Sequence, residues 1–445
     1  PTGRYIREDR CQTPIEKLKT VALRPPIDLL YAAASFERAG CACRVVDFPA
    51  KEKSWEHLEN LLREFRPAMI VLSITTPSLP LDVEAARQAK TILPGILTVA
   101  KGAHFNTLDL HALEQYPQLD VALRGEYEQT CRELGEGRPL AEIHGITWRA
   151  PDGALRRNPD RALMENLDEL PFPARHLVHN ELYIRPDTGE PQTTIVTNRG
   201  CPFSCIFCLA NQVAGRKNRT RSQENILAEI EECVYKFGIR NFLFRSDLFT
   251  ASKEWVIGLC EKITGRGLGI SWACNSRVDT IDREVLRAMK RAGCWLIAYG
   301  VESGDQATLD RMNKRTDLNK AREALRMTRE EGLCSSIYFL FGMPWDDQKV
   351  FDADLRFARE INPDFIEIFY VYPFPGTKLY EIAVAEGLLK EGEIPAAAYD
   401  SPAMPTLHVG IDELTKWRRR FLRRFYMRPG YIFRTISRIR SPRVL

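Results

Sequence analysis

The sequence predicts an α/β protein: an N-terminal doubly wound, Rossmann-like parallel sheet, a partial (β/α)6 barrel after it, and a basic helical C-terminal tail. Three observations predict this. Short apolar runs alternate with helix-period stretches over the first third of the chain. Six further strand–helix steps follow from Thr193. After Glu413 there is no acidic residue, while lysine and arginine recur from Lys416 to Arg443. A chain of 445 residues exceeds one ordinary core. The expected boundaries are 1–150 for the first sheet, 151–190 for a linker, 191–385 for the barrel and 386–445 for the extension.

The elements follow in order. Leu29–Ala39 reads as a helix stopped by Gly40, and Cys43–Phe48 (CRVVDF) as a short buried strand. Trp55–Phe65 is helical, Ala68–Ile74 a continuous apolar strand, Leu81–Ile92 a helix, and Ile96–Ala100 and Val121–Leu123 strands. Strands alternating with helices imply parallel pairing. A first strand upstream of Pro1 would complete the sheet, and a start at Pro instead of Met fits that expectation. Pro, Asp and Asn are dense after Pro151, with a small hairpin expected at Asp152-Gly153. The barrel strands are expected at Thr194–Thr197, Asn241–Phe244, Ile270–Cys274, Trp295–Tyr299, Ser336–Phe341 and Phe365–Tyr370. Helices are expected at Gln223–Phe237, Ser252–Arg266, Asp282–Ala292 and Leu318–Glu331.

Composition sets limits. Hydrophobic residues make up 44% and charged residues 27%, the balance of a globular protein. No uninterrupted apolar run has the length of a membrane span, and no signal peptide is visible. Of 12 cysteines, nine are scattered, and several of these sit in apolar surroundings and read as small core residues, which fits a reducing, cytoplasmic setting.

The other three are clustered in Gly200-Cys201-Pro202-Phe203-Ser204-Cys205-Ile206-Phe207-Cys208, a C-x3-C-x2-C spacing. Thiolates suit iron–sulfur clusters and zinc. Zinc sites pair two C-x2-C hooks or add a nearby His, and neither is present. Three cysteines on a four-iron cube would leave one iron open, able to chelate an amino and a carboxylate group.

This motif, with Phe207 before its last cysteine, resembles the radical S-adenosylmethionine superfamily. Further pieces occur in order: Phe244–Thr250 (FRSDLFT), Ser276-Arg277-Val278-Asp279, Gly300-Val301-Glu302-Ser303-Gly304, Phe341-Gly342-Met343-Pro344 and Pro373-Phe374-Pro375-Gly376-Thr377. The likeness spans residues 193–385. It implies that Cys201, Cys205 and Cys208 hold a [4Fe–4S] cluster and that Phe207, Asp247, Arg277 and Glu302 contact S-adenosylmethionine. Carboxylates accept from ammonium or hydroxyl groups, and Arg forks onto a carboxylate. An ordinary ion pair at a strand end is the competing reading of the last three.

Upstream, Arg24-Pro25-Pro26-Ile27-Asp28-Leu29-Leu30, Ser73-Ile74-Thr75-Thr76, Lys101-Gly102-Ala103-His104 and Arg124-Gly125-Glu126 together resemble the cobalamin-binding domain that precedes the barrel in many such enzymes. The likeness covers residues 20–135 and implies cobalamin contacts at Ser73, Thr75, Thr76, Gly102, His104, Gly125 and Glu126. Several of these follow apolar strands, at the edge where open parallel sheets bind ligands. Asp109-Leu110-His111 is a near miss to the D-x-H-x2-G cobalt-ligating pattern and lacks its Gly, so His111 reads as a helix-surface residue. No His is expected on the lower cobalt face.

The combined resemblance implies a cobalamin-dependent radical enzyme that methylates an unactivated carbon, with its two cofactors facing each other between the domains. One S-adenosylmethionine would methylate reduced cobalamin, and a second would be cleaved to a 5′-deoxyadenosyl radical. Oxidative cyclisation or rearrangement with the same cofactors is an alternative, and a non-catalytic cobalamin sensor is another. Expected partners are a small-molecule or lipid substrate and an electron donor such as flavodoxin or ferredoxin. Aromatic residues interleave with arginines through 416–443. This fits peripheral contact with the inner membrane face, and equally a basic helix packed on the barrel. Nothing beyond charge favours nucleic acid.

Overall fold

The computed structural model describes residues 5–8, 11–14, 23–51, 54–395 and 401–438. The chain divides into two compact units, Pro1–Tyr183 with Leu209–Ser222, and Ile184–Cys208 with Gln223–Leu445.

The first unit opens with an antiparallel pair, β1 (Tyr5–Glu8) and β2 (Cys11–Pro14). Helices α1 (Ile27–Arg38), α2 (Phe48–Lys51) and α3 (Trp55–Phe65) follow. Then come β3 (Met69–Ser73), α4 (Leu79–Ile92), β4 (Leu97–Lys101), α5 (Asp109–Gln115), β5 (Val121–Leu123), α6 (Glu128–Gly135), β6 (Ile146–Arg149) and β7 (Leu155–Arg157). The sheet runs β3-β4-β5-β6-β7. Strands β3, β4 and β5 are parallel. The expected hairpin at Asp152-Gly153 forms, and it extends this sheet as two antiparallel strands instead of standing apart. The unit also contains α7 (Ala210–Ala214) and β10 (Arg219–Thr220), which follow β8 (Gln192–Val196) and β9 (Asn198–Arg199) of the other unit in the chain.

One expected strand is absent. Cys43–Phe48 is irregular coil that ends in α2. Its residues line the same cavity of about 660 Å³ as β3, together with Leu58 and Leu62 of α3 and Leu29 and Ala32 of α1. A strand exists only where a neighbour takes its backbone hydrogen bonds. With a cavity alongside it, the apolar CRVVDF run forms no ladder.

The second unit holds six parallel strands in the order β15-β14-β13-β12-β11-β8. After β8 and β9 come α8 (Gln223–Phe237), β11 (Asn241–Arg245), α9 (Lys253–Arg266), β12 (Ser271–Ser276), α10 (Arg283–Arg291), β13 (Cys294–Glu302), α11 (Gln306–Arg311) and α12 (Leu318–Glu330). The unit closes with β14 (Cys334–Phe341), α13 (Gln348–Ile361), β15 (Phe365–Tyr370), α14 (Lys378–Ala385), α15 (Ile411–Tyr426) and α16 (Pro429–Arg438). Asp282, Asp305, Asp317 and Asp347 accept backbone N–H bonds at the starts of α10, α11, α12 and α13, which satisfies donors the helices leave open.

Alternate strand residues point outward under the helices: Phe242 and Phe244, Trp272 and Cys274, Ile297 and Tyr299, Ile337 and Phe339, Ile366 and Ile368 are all buried in one core. The intervening Asn275 is exposed, and its Oδ1 accepts from Tyr338 Oη at 3.3 Å.

Helix α15 closes this core. Leu414, Trp417, Phe421 and Phe425 are buried along one side. Trp417 packs on Phe351 with ring centroids 4.8 Å apart and donates its indole N–H to Gln348 at 2.7 Å. Trp417→Ala is expected to cost about 3–5 kcal/mol, because it removes a large buried ring and leaves a cavity; urea unfolding of the purified protein measures it. Among the described residues, no helix is long and apolar enough to cross a membrane. Arg440 and Arg443 of the basic tail lie outside the described residues.

Candidate functional site

Cysteine loop. Residues Cys201–Cys208 follow β8 and β9, at the C-terminal edge of the six-stranded sheet, where barrels of this kind carry their chemistry. Gly200, at φ 89°, turns the chain into the loop. Its N–H donates to Asp247 Oδ2 at 2.7 Å, which ties the loop to the segment after β11. Ile206 N–H donates to Met312 O, and Leu379 N–H donates to Ile206 O. Asn313 Nδ2 donates to Ser204 O at 2.8 Å. Phe207 is partly buried against the cluster of Met312, Met343 and Leu379.

All three cysteines are free thiols, with Cys208 exposed and Cys201 and Cys205 half-buried. Burial pushes the Cys201 and Cys205 thiols up. The N–H of Phe203 acts against this at Cys201, and the Lys314 ammonium acts against it at Cys205. Cys208 lies close enough to influence both. Among the described residues no group of His, Cys, Asp or Glu is drawn together as a single-ion site. A four-iron cube, with thiolates at different corners, needs them further apart than one ion does. The donor set of three soft thiols on one loop, anchored at Gly200, Ser204 and Ile206, fits such a cluster.

The strand-end residues stand around this loop. Glu302, at the end of β13, has φ 73° and is buried. Its carboxylate accepts from Lys314 Nζ at 2.6 Å. Gly300 leaves room for this pair: a Cβ on it would lie 2.5 Å from Glu302 Oε1 and 2.9 Å from Lys314 Nζ. Arg277 forks onto Asp279 at 2.8 and 2.7 Å and donates to the Lys314 carbonyl at 2.8 Å. Its guanidinium lies 3.7 Å from the Phe203 ring centroid, a cation–π contact that ties β12 to the cysteine loop.

Asn313, Lys314 and Arg315 carried no signal in the sequence, where a polar run after a helix reads as a solvated turn. Asn313 and Arg315 have φ of 54° and 53°. This conformation is uncommon outside Gly. It places a buried lysine between Glu302 and Cys205.

Edge of the first sheet. Ser73 ends β3 and Thr75 and Thr76 follow it, Gly102 and His104 follow β4, and Gly125 and Glu126 follow β5, so one edge gathers all seven. Gly102 has φ 144°, and a Cβ there would fall 1.9 Å from Ile74 O. Two loop backbones thus meet where only Gly fits. Gly125 has φ 68° with open space where a Cβ would stand, and its N–H donates to Asn106 Oδ1 at 2.8 Å. Thr76 Oγ1 and His104 Nδ1 are 3.2 Å apart. Burial lowers the His104 pKa to about 4, so the ring is neutral, and its buried Nε2 has no hydrogen-bond partner in the structure. Small residues, open space and an unanswered ring nitrogen fit a large polar ligand at this edge.

Three details differ from a simple contact list. Ser73 donates to Asp28, which also pairs with buried Lys101. The Thr75 and Ser78 hydroxyls bond each other at 3.0 Å. Both buried oxygens of Glu126 bond Arg219, at 2.8 and 3.0 Å, and Oε2 also accepts from Met164 N–H. Glu126 thus holds its own loop in place. His111 lies on the exposed side of α5, while Asp109 pairs with Arg157 at 2.9 Å.

Residues 195–358 match the model of the radical SAM superfamily, and residues 19–135 match the B12 binding domain. An uncharacterized methyltransferase of Pyrococcus horikoshii, PH0819, is 30% identical over 93% of this chain and 90% of that protein. An anaerobic magnesium-protoporphyrin IX monomethyl ester cyclase of Rubrivivax gelatinosus is 26% identical over 80% of this chain and 66% of its own. The solved radical S-adenosylmethionine methyltransferase TsrM from Kitasatospora setae, with cobalamin and a [4Fe–4S] cluster bound, superposes with a TM-score of 0.67 at 18% identity, covering 82% of this chain and 72% of that one. The fold and the cysteine loop define a radical S-adenosylmethionine enzyme. The chain belongs to the cobalamin-binding branch of that superfamily, and its cofactors are a [4Fe–4S] cluster, S-adenosylmethionine and cobalamin.

Proposed function

We propose that this enzyme transfers a methyl group to an unactivated carbon of a small molecule. The observation that carries the reading is the pairing, in one chain, of an anchored C-x3-C-x2-C loop with a ligand edge built from Gly102, Gly125 and the Thr76–His104 pair. Held by Cys201, Cys205 and Cys208, a cluster would supply the electron for reductive cleavage of S-adenosylmethionine, and cobalamin at the first sheet's edge would supply the methyl group.

The chain's own residues bind, orient and shield. Cys201, Cys205 and Cys208 are the cluster ligands. Asp247 fixes the loop entrance and, with Glu302, offers carboxylates to the ammonium and hydroxyl groups of S-adenosylmethionine, whose adenine Phe207 supports. Arg277, held by Asp279, acts through the Lys314 carbonyl, and Lys314 is the added cation for the methionyl carboxylate. Gly102, Gly125, Thr75, Thr76 and His104 face cobalamin, while Ser73 and Glu126 position that edge. Replacing Lys314 by Met is expected to weaken S-adenosylmethionine binding about tenfold or more, because a desolvated charge partner is lost. Equilibrium dialysis reads this, and Lys314→Arg should restore most of it.

The cyclase relative favours a second reading, oxidative ring closure with the same cofactors. Incubation with methyl-labelled S-adenosylmethionine and a small-molecule extract separates the two: carbon-bound label in a product is expected, and turnover without label in any product rejects methyl transfer. An electron donor of the flavodoxin or ferredoxin type, a cytoplasmic location and peripheral membrane contact through 416–443 complete the proposal.

A further inference from the structure

The basic tail consists of two helices with different surroundings. Helix α15 spends its apolar side on the barrel core, through Leu414, Trp417, Phe421 and Phe425. After an exposed first turn of Ile411, Asp412 and Glu413, what it shows outward is basic charge, with Lys416, Arg419, Arg420, Arg423 and Arg424 exposed. Helix α16 is the reverse. Tyr431 Oη donates to Asp364 O at 2.6 Å, and Arg434 Nη2 donates to Pro363 O at 3.2 Å, so one side is pinned to the segment entering β15. Arg428 adds a bond to Asn362 Oδ1 at 3.0 Å. The free side carries Phe433 at 76% exposure and Ile436 at 58%, with Met427 at 66% at the junction of the helices. Phe365, the first residue of β15, is 43% exposed beside the pinned side.

Large apolar residues this open, clustered on one short helix, mark a contact surface. The charge around them selects the partner. Arg423 and Arg424 lie within a turn of Met427, and no acidic residue follows Glu413. The nearby carboxylates, Asp364 by Tyr431 and Glu367 by Tyr426, stand on the pinned side; apolar side chains beside a basic tail fit the acyl boundary and phosphates of an anionic bilayer. A protein partner would have to answer the arginines with carboxylates, and a second copy of this tail has none to offer.

We propose that α16 is the membrane-contacting element of this enzyme, with Met427, Phe433 and Ile436 inserted among anionic lipids and the exposed basic side of α15 flanking them. This rests on the reading of 416–443 as a peripheral contact and narrows it. It also gives that contact a direction. Helix α16 hangs on residues 362–364, before the start of β15, while the cysteine loop follows the end of β8 in the same parallel sheet. The lipid contact and the cluster loop therefore sit at opposite edges of the sheet. The contact anchors the enzyme to the bilayer and does not feed an acyl chain into the cluster end.

Flotation of the full chain with vesicles of phosphatidylcholine, alone or mixed with phosphatidylglycerol, tests this. Binding to the mixed vesicles is expected to exceed binding to phosphatidylcholine by about tenfold or more and to fall with salt. The Phe433→Ser/Ile436→Ser variant should lose binding by about tenfold while keeping its cluster absorbance, because the side chains it changes are exposed. If that variant floats like the parent while Arg419→Gln/Arg420→Gln/Arg423→Gln does not, the peripheral contact stands and the assignment to α16 is overturned. Absence of flotation with any vesicle overturns both. A concentration-dependent dimer that disappears with Phe433→Ser/Ile436→Ser, without vesicle binding, assigns the surface to a second copy and overturns the lipid proposal.

Discussion

Cys205→Ala yields a folded protein that no longer takes up a [4Fe–4S] cluster, and its reductive cleavage of S-adenosylmethionine falls by at least about a thousandfold, to background. The substitution removes one of three thiols on a single loop. The free thiols Cys131, Cys233, Cys260, Cys274 and Cys294 are buried in hydrophobic cores. The loop itself survives, since its anchors are the Gly200–Asp247, Ile206–Met312 and Ser204–Asn313 bonds, none of which uses a cysteine side chain. Iron and sulfide content after anaerobic reconstitution gives the result directly. A full cluster in Cys205→Ala contradicts the ligand assignment.

Gly102→Ala destabilises the first unit by about 2–4 kcal/mol and abolishes detectable cobalamin binding. Two effects add. The backbone at φ 144° is strained for any residue with a Cβ. The added methyl would also stand 1.9 Å from a backbone carbonyl oxygen, that of Ile74. Relief requires the β3 and β4 loops to part, and those loops carry Thr75, Thr76 and His104. Gly125→Ala is the useful contrast, because its Cβ would meet no protein atom. It should cost stability only through its φ of 68°, while still intruding on a ligand at this edge. Thermal unfolding and cobalamin retention on gel filtration separate the two variants.

Sequence reasoning succeeded where structure is set locally. Helix α8 matches its expected limits, Gln223–Phe237, because its apolar period and polar flanks lie within the segment itself. The cysteine loop stood out in the sequence because Cys201, Cys205 and Cys208 fall within eight residues. Cys43–Phe48 shows the limit. Its apolar run has strand character, yet strand formation depends on a neighbour that the segment does not contain. Glu126 shows a second limit. Its pairing with Arg219, 93 residues later, was not legible from the segment around it. Lys314 shows a third. Only the left-handed backbone at Asn313 and Arg315 brings it to Glu302, and nothing in the letters Asn-Lys-Arg announces that geometry.

The most direct test of the account is whether the anaerobically reconstituted, reduced protein converts S-adenosylmethionine to 5′-deoxyadenosine. 5′-Deoxyadenosine is expected to form, dependent on reductant and on all three of Cys201, Cys205 and Cys208. A fully loaded and reduced protein that binds S-adenosylmethionine yet releases no 5′-deoxyadenosine would contradict it.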